Sequence, residues 1–291
     1  MVLLELHLTL HSNQPESAVS ASPFLGGIFH GTFERLTLTH APVICHELGI
    51  TSENQPKRYA ILPQPFDGKA SRIGSPCKMK CGIMLYGQAE KYIQVIIALL
   101  KEWREIRYDG RTDTVQCDQI RCYIPSNDGR TQIEPDNNNF SQQIDCSSIH
   151  SSANSITLHF STPLKLGDAY TPSLLRIVRS IANRIRKLEP SLANTLGIGS
   201  LAWIEAEENI RQLPITDQQL EFVNWRYYST NRPYGIPCNG LIGKLHYTGH
   251  IPACITNLLY WGQWFGGGQS TAMGQGMYYI NTPLIKFNAA E

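Results

Sequence analysis

The stretch Leu4-Glu5-Leu6-His7-Leu8-Thr9-Leu10 puts leucine at every second position with a polar residue between. Side chains of a strand alternate between two faces, so this period of two marks a half-buried β-strand. The grammar returns at Ile156-Thr157-Leu158-His159-Phe160-Ser161. After the first strand, Leu25, Ile28, Phe29, Phe33 and Leu36 stand near helical spacing, and a helix is predicted from Pro23-Phe24 to about Leu38. A turn-rich loop then runs through Asn54-Gln55-Pro56, and residues 58–66 read as a strand. Ala89, Ile93, Ile96, Ile97, Leu100 and Trp103 form the stripe of a helix over 88–105, and 114–124 reads as a closing strand. After the second alternating strand, Pro172 opens a helix that ends at Pro190. Strands are predicted at 201–209, 219–229 and 240–248, a helix at 251–261 and a last strand at 272–281.

Each half therefore reads as strand–helix–strand–strand–helix–strand, the ferredoxin-like unit, with both helices on one face of an antiparallel sheet. The expected fold class is α+β, two tandem ferredoxin-like (βαββαβ) domains. The polar run at 125–154, rich in Asn, Ser and Gln, marks the boundary. The expected division is residues 1–125, a polar linker at 126–152, and residues 153–291.

Composition narrows the classes. At ~150 residues per domain, 291 residues suggest two domains. With 42% apolar and 17% charged residues, the chain is neither disordered nor collagen-like. No run approaches the ~18 apolar residues of a membrane span, and the start lacks a basic, cleavable leader pattern. A cytoplasmic protein is expected. A net charge of +1 excludes a wholesale polybasic binder but not a local basic face. Among eight cysteines, Cys77 with Cys81 and Cys117 with Cys122 are the close pairs. Their gaps fit a zinc site only loosely, and free thiols are the better reading.

Three features carry candidate chemistry. On the 172–188 helix, Arg176, Arg179, Arg184, Arg186 and Lys187 occupy the surface beside an apolar stripe, with no acid before Glu189. That is either a solvated face or a phosphate-binding one. The segment Gly266-Gly-Gly-Gln-Ser-Thr-Ala-Met-Gly-Gln-Gly276 lacks the Gly-Lys-Ser/Thr ending of a nucleotide loop. Its glycines suit either a tight connection or the close approach of a phosphate. His30 on the first helix, His40 and His46 in the loop after it, and Lys57 before the next strand bring proton-transfer groups to one region. His46-Glu47 begins a metalloprotease pattern, but Ile50 stands where its second histidine belongs.

These blocks together resemble the CRISPR-associated endoribonucleases that process precursor CRISPR RNA, the Cas six group of the RAMP superfamily. Trp225-Arg-Tyr-Tyr-Ser-Thr-Asn-Arg232 is similar to the family's Ser-x-x-Arg segment. Gly240-Leu-Ile-Gly243 with Leu245-His-Tyr-Thr-Gly249 resembles the strand that follows, and Trp261 to Gly276 the glycine-rich signature. Gly27–Phe33, Ile44–Glu47, Gln55–Tyr59 and Ser155–Leu164 add looser likenesses, and the cysteine pairs match nothing in the pattern. The resemblance implies an RRM-like pair of domains and RNA cleavage without a metal or other cofactor. It implies His46 as the loop histidine used in cleavage, His30 in the first helix, and Lys57 as the basic residue. RNA binding is expected from Arg176, Arg179, Arg184, Arg186, Lys187, Arg232, Lys244, Gly266, Gly267, Gly268, Gln269, Gly274 and Gly276. The implied partners are CRISPR repeat RNA and the mature crRNA, other effector-complex subunits, or a second copy in a homodimer, and no membrane. A non-cleaving RAMP subunit that holds guide RNA, and an interaction module stapled by zinc, are the competing classes.

Overall fold

The computed structural model describes residues 1–11, 25–52, 54–63, 76–108, 111–126, 129–134, 151–167, 172–229 and 232–281. The expected helix start at Pro23-Phe24, residues 64–66 of the second strand and most of the expected linker lie outside them.

The first unit runs β1 (Val2–His11), α1 (Gly26–His40), β2 (Tyr59–Pro63), β3 (Cys77–Leu85), α2 (Ile93–Lys101), β4 (Glu105–Tyr108), β5 (Arg111–Ser126) and β6 (Gly129–Ile133). Its sheet has the order β2-β3-β1-β5-β4, with β6 on β5. Leu4, Leu6, Leu8 and Leu10 of β1 are buried against Ile28, Phe29 and Phe33 of α1 and Ile96 and Leu100 of α2. Each fully buried side chain of this kind contributes ~1.5–3 kcal/mol.

The second unit runs β7 (Ala153–Leu164), α3 (Leu174–Leu188), α4 (Pro190–Thr195), α5 (Leu201–Ile210), β8 (Ile215–Val223), β9 (Arg226–Ser229), β10 (Arg232–Pro237), β11 (Gly240–Ile251), α6 (Ala253–Gly262) and β12 (Tyr278–Ile280). Its sheet order is β12-β7-β11-β8, and β9 and β10 form a separate hairpin. Both sheets place the first strand in the interior, β1 between β3 and β5 and β7 between β12 and β11. The fold is α+β, two tandem ferredoxin-like units.

Several expectations change, and the last expected strand, 272–281, shortens to Tyr278–Ile280 after a 3-10 turn at Thr271–Met273. Residues 201–209 form helix α5, not a strand, because the Ser200 hydroxyl caps the Trp203 N–H at 3.2 Å. Trp203, Ala206 and Ile210, three and four residues apart, are then buried on one side. The expected 88–105 helix divides into a tight 3-10 stretch, Gly87–Tyr92, followed by α2. β3 and β4 were not anticipated, and β6 begins inside the expected linker and joins the first sheet. His40 ends α1 and does not lie in the loop.

The two units share a core. Met1, Leu3, Ala60, Leu62, Met84 and Tyr86 of the first pack with Leu158, Ile181, Trp264 and Phe265 of the second. The Tyr86 ring stacks on Phe265 at 5.0 Å, and its hydroxyl donates to the Trp264 carbonyl at 2.7 Å. No helix among the described residues is long and apolar enough to cross a membrane.

Candidate active site

The loop between α1 and β2 gathers the ionisable groups. It leaves α1 in a 3-10 turn at Pro42–Ile44 and folds back on itself, Ile50 N–H to Cys45 O at 2.8 Å and Arg58 N–H to Leu48 O at 3.0 Å. Gly49 is required there: at φ +72° a Cβ would stand 2.6 Å from the Pro56 carbonyl oxygen. This folded loop brings Lys57 back against α1.

His30 and Glu34 lie one turn apart on α1, facing Tyr59 at the start of β2. The Lys57 Nζ donates to Glu34 Oε1 at 2.7 Å and to the Ile50 carbonyl at 3.2 Å. The Tyr59 hydroxyl donates to Glu34 Oε1 at 2.8 Å and lies 3.0 Å from His30 Nε2. His30 Nε2 is itself 3.6 Å from Glu34 Oε1. Only 12% of the His30 side chain is exposed. Burial therefore holds its pKa below 6.5; Glu34 opposes that shift and Lys57 adds to it. For Glu34, burial pushes the carboxyl up, but His30, Lys57 and the Tyr59 hydroxyl outweigh it and bring it below 4.5.

His46 sits farther round the same loop with 67% of its side chain exposed. Its Nε2 lies 3.2 Å from Gln55 Nε2, and its Nδ1 is 3.9 Å from Glu47 Oε1. The structure thus joins His30 to Lys57 through Glu34 and leaves His46 at the surface of the loop that holds Lys57. Sequence reasoning missed Glu34, Tyr59 and Gln55. The four-residue spacing of His30 and Glu34, which share a helix face, is a signal that would have found the carboxylate.

The expected binding residues scatter. On α3, Arg179 forms two bonds to Glu207 Oε2 of α5, at 3.0 and 2.7 Å. Arg184 turns inward, its Nε donating to the Phe265 carbonyl at 2.8 Å and its guanidinium 5.4 Å from the centre of the Tyr86 ring. Arg176 donates to the Leu166 carbonyl at 3.0 Å and Arg186 to Asn183 Oδ1 at 3.3 Å, both from exposed positions, and Lys187 is exposed. Lys244 is exposed on β11 in register with His159 and Gln219. Its neighbour Leu245 points into the helix-covered core, so Lys244 occupies the other face of the sheet from α3. Arg232 opens β10 opposite Ser229.

The glycine segment is mostly interior. Gly266, Gly267, Gly274 and Gly276 are buried, Gly268 is half-buried, and Gln269 is exposed. Gly276 has φ +69°, and a Cβ there would fall 1.7 Å from the Gly267 carbonyl oxygen. A Cβ on Gly274, φ +84°, would meet the Ile61 carbonyl of β2 at 2.3 Å. These two glycines therefore let the segment close on itself and seat it against the first unit. Cys77 and Cys81 lie on β3 and Cys117 and Cys122 on β5, with β1 between. Among the described residues no group of three or more His, Cys, Asp or Glu side chains could hold a metal ion.

Residues 158–278 match the family model of the CRISPR-associated endoribonuclease Cas6. Among solved structures, Thermus thermophilus Cas6 is 12% identical with a TM-score of 0.55, covering 96% of this chain and 98% of that one. A second Cas6, solved as a product complex, is 17% identical with a TM-score of 0.53 over 97% and 100%. A RAMP protein described as binding different RNA substrates is 12% identical with a TM-score of 0.50 over 97% and 100%. No curated protein sequence matches the chain. At these identities the structural likenesses speak to the fold, and the family match to the C-terminal half.

Proposed function

We infer, from a chain with the Cas6 fold throughout and the Cas6 family signature over residues 158–278, that the protein processes CRISPR RNA by cutting repeat sequences in the precursor transcript. The observation that carries this reading is that α1 and the loop after it join His30 to Lys57 through Glu34, with a second histidine, His46, open to solvent on that same loop. The substrate's own 2′-hydroxyl supplies the nucleophile. Its oxygen attacks the adjacent phosphorus, the bond from phosphorus to the 5′-oxygen breaks, and the products are a 2′,3′-cyclic phosphate and a 5′-hydroxyl. One group must take the 2′-proton and another must protonate the leaving oxygen.

His46, exposed on the loop, takes one of these proton-transfer roles, worth ~10²–10⁴-fold in rate. His30 takes the complementary role or orients the nucleophile. Lys57 stabilises the negative charge that builds on the phosphoryl oxygens, an electrostatic task a positioned cation performs. RNA is held by exposed cations, Arg176, Arg186, Lys187 and Lys244, and by Gln269 on the glycine segment. Arg232 stands on the β9–β10 hairpin as a further contributor. Affinity falls with salt, log K changing by ~0.9 per phosphate contacted for each log unit of salt in a duplex.

The test is cleavage of a labelled CRISPR repeat RNA in EDTA by the unmodified protein and by His46→Ala, with and without a single 2′-deoxy sugar at the cut. Cleavage abolished by the deoxy sugar and by His46→Ala supports both reaction and site. Deoxy-sensitive cleavage by a fully active His46→Ala moves the site away from His46. Tight binding without cleavage favours a guide-holding RAMP subunit.

A further inference from the structure

We propose that Glu34 is a positioning residue that presents His30 and Lys57 to the substrate in one defined hydrogen-bonding state, with Tyr59 as the relay between carboxylate and imidazole. The proposal rests on the reading of His30 and Lys57 as working groups, and on the count of donors and acceptors around one carboxylate oxygen.

An ionised carboxylate only accepts. The Tyr59 hydroxyl has one proton and donates it to Glu34 Oε1 at 2.8 Å. The same hydroxyl oxygen, 3.0 Å from His30 Nε2, is then left to accept, so Nε2 carries the hydrogen. In the neutral ring Nδ1 is consequently the lone-pair nitrogen, the one able to take a proton or accept a bond from the substrate. The ammonium of Lys57 has three donors. Glu34 Oε1 and the Ile50 carbonyl take two of them, at 2.7 and 3.2 Å, which aims a third. One carboxylate oxygen thereby sets the tautomer of a histidine and the direction of a cation.

Other titratable and charged groups border the pair. Lys57 and Tyr59 face the pair from the end of the loop and β2, and Cys45 lies in the field of Glu34 from the turn after α1. Arg35, the next residue on α1, looks instead toward Glu105 and Arg107 of β4. The turn Thr271–Met273 that packs on α1 brings no ionisable side chain, and β9 begins with Arg226.

Two measurements on the full chain test this. Long-range nitrogen–proton NMR of histidine-labelled protein should show the His30 proton on Nε2 at neutral pH. In Glu34→Gln the His30 titration midpoint should fall, because the carboxylate that favours the charged ring is gone. A proton on Nδ1, or a midpoint that Glu34→Gln leaves in place, overturns the proposal whether or not the protein cleaves RNA. In single-turnover cleavage, Glu34→Gln should slow the rate ~10–10²-fold with RNA affinity retained. The limb of the pH profile that His30 governs should move to lower pH, and Glu34→Asp should recover part of the rate. A profile of unchanged shape would reduce Glu34 to a packing residue. Should Glu34→Gln not fold, Tyr59→Phe carries the same test: it keeps the ring, removes the relay, and should free Nε2 from its single hydrogen-bonded state. If the unmodified chain cuts no repeat RNA, the functional reading fails while the NMR result still decides the positioning claim.

Discussion

Helices α1 and α3 occupy the same place in the two units, each following the first strand, yet their ionisable side chains are used differently. On α1, His30 and Glu34 converge with Lys57 and Tyr59 from a loop and a strand on one oxygen atom. On α3, each arginine finds a separate partner: Glu207, the Phe265 carbonyl, the Leu166 carbonyl or Asn183. The α1 set shares its protons and charges, so altering one member changes the others. The α3 set is a collection of independent contacts whose effects should add.

The largest expected effect lies in the glycine segment of the second unit, which closes on itself before it seats against the first. Gly276→Ala puts a Cβ 1.7 Å from the Gly267 carbonyl at a positive φ and should cost about 2–5 kcal/mol, read as a fall in the urea midpoint. Gly31→Ala, at an exposed position of α1 with nothing within 4 Å of the added carbon, should instead stabilise by ~0.5–1 kcal/mol. Equal effects of the two would mean that the glycine segment does not close on itself at Gly267.

Next in size is His46, on the loop after α1. His46→Ala should lower repeat-RNA cleavage by ~10²–10⁴-fold with no change in thermal midpoint, since the side chain is 67% exposed. A matching loss of stability would place His46 in the packing of its loop and not in the chemistry.

The arginines of α3 should divide. Arg184→Ala removes a bond to the Phe265 carbonyl inside the junction and should destabilise by ~1–3 kcal/mol. Arg186→Ala should leave stability alone and reduce the salt slope of RNA affinity by ~1. If both variants alter only binding, α3 presents a single RNA face after all.

The smallest effect is a pH dependence of stability. Burial holds His30 below 6.5 in the folded protein, so between that lowered value and 6.5 the unfolded chain binds more protons. Stability therefore falls as pH drops through this window. The lowered Glu34 carboxyl acts in the same direction only below 4.5. His30→Gln should flatten the upper part of the curve in urea titrations from pH 7.5 to 5. A wild-type curve already flat there would show that His30 is free to charge.

Much of the fold was legible because its signals are local. The alternation of Leu4 to Leu10 and the stripe of Leu174, Val178, Ile181 and Ile185 each state a period within one element. Strand β3 gives a weaker signal: Lys78 and Lys80 alternate with Cys77, Met79 and Cys81 over only five residues, and Cys81–Leu85 are then all buried, covered on both faces. Residues 201–209 are a helix and not the expected strand, because Ser200 caps them and Trp203, Ala206 and Ile210 are buried on one side.

Of the site, the sequence alone marked His30, His46 and Lys57 as residues able to move protons or bear charge, and the glycines as places of close approach. Only the tertiary structure decided which of these meet. Glu34 and Tyr59 meet Lys57 because the loop returns it to α1, and Arg184 faces inward because its guanidinium bonds the Phe265 carbonyl. A residue's type sets what its side chain can donate, accept or titrate, whereas long-range packing sets which partner and how much water it has.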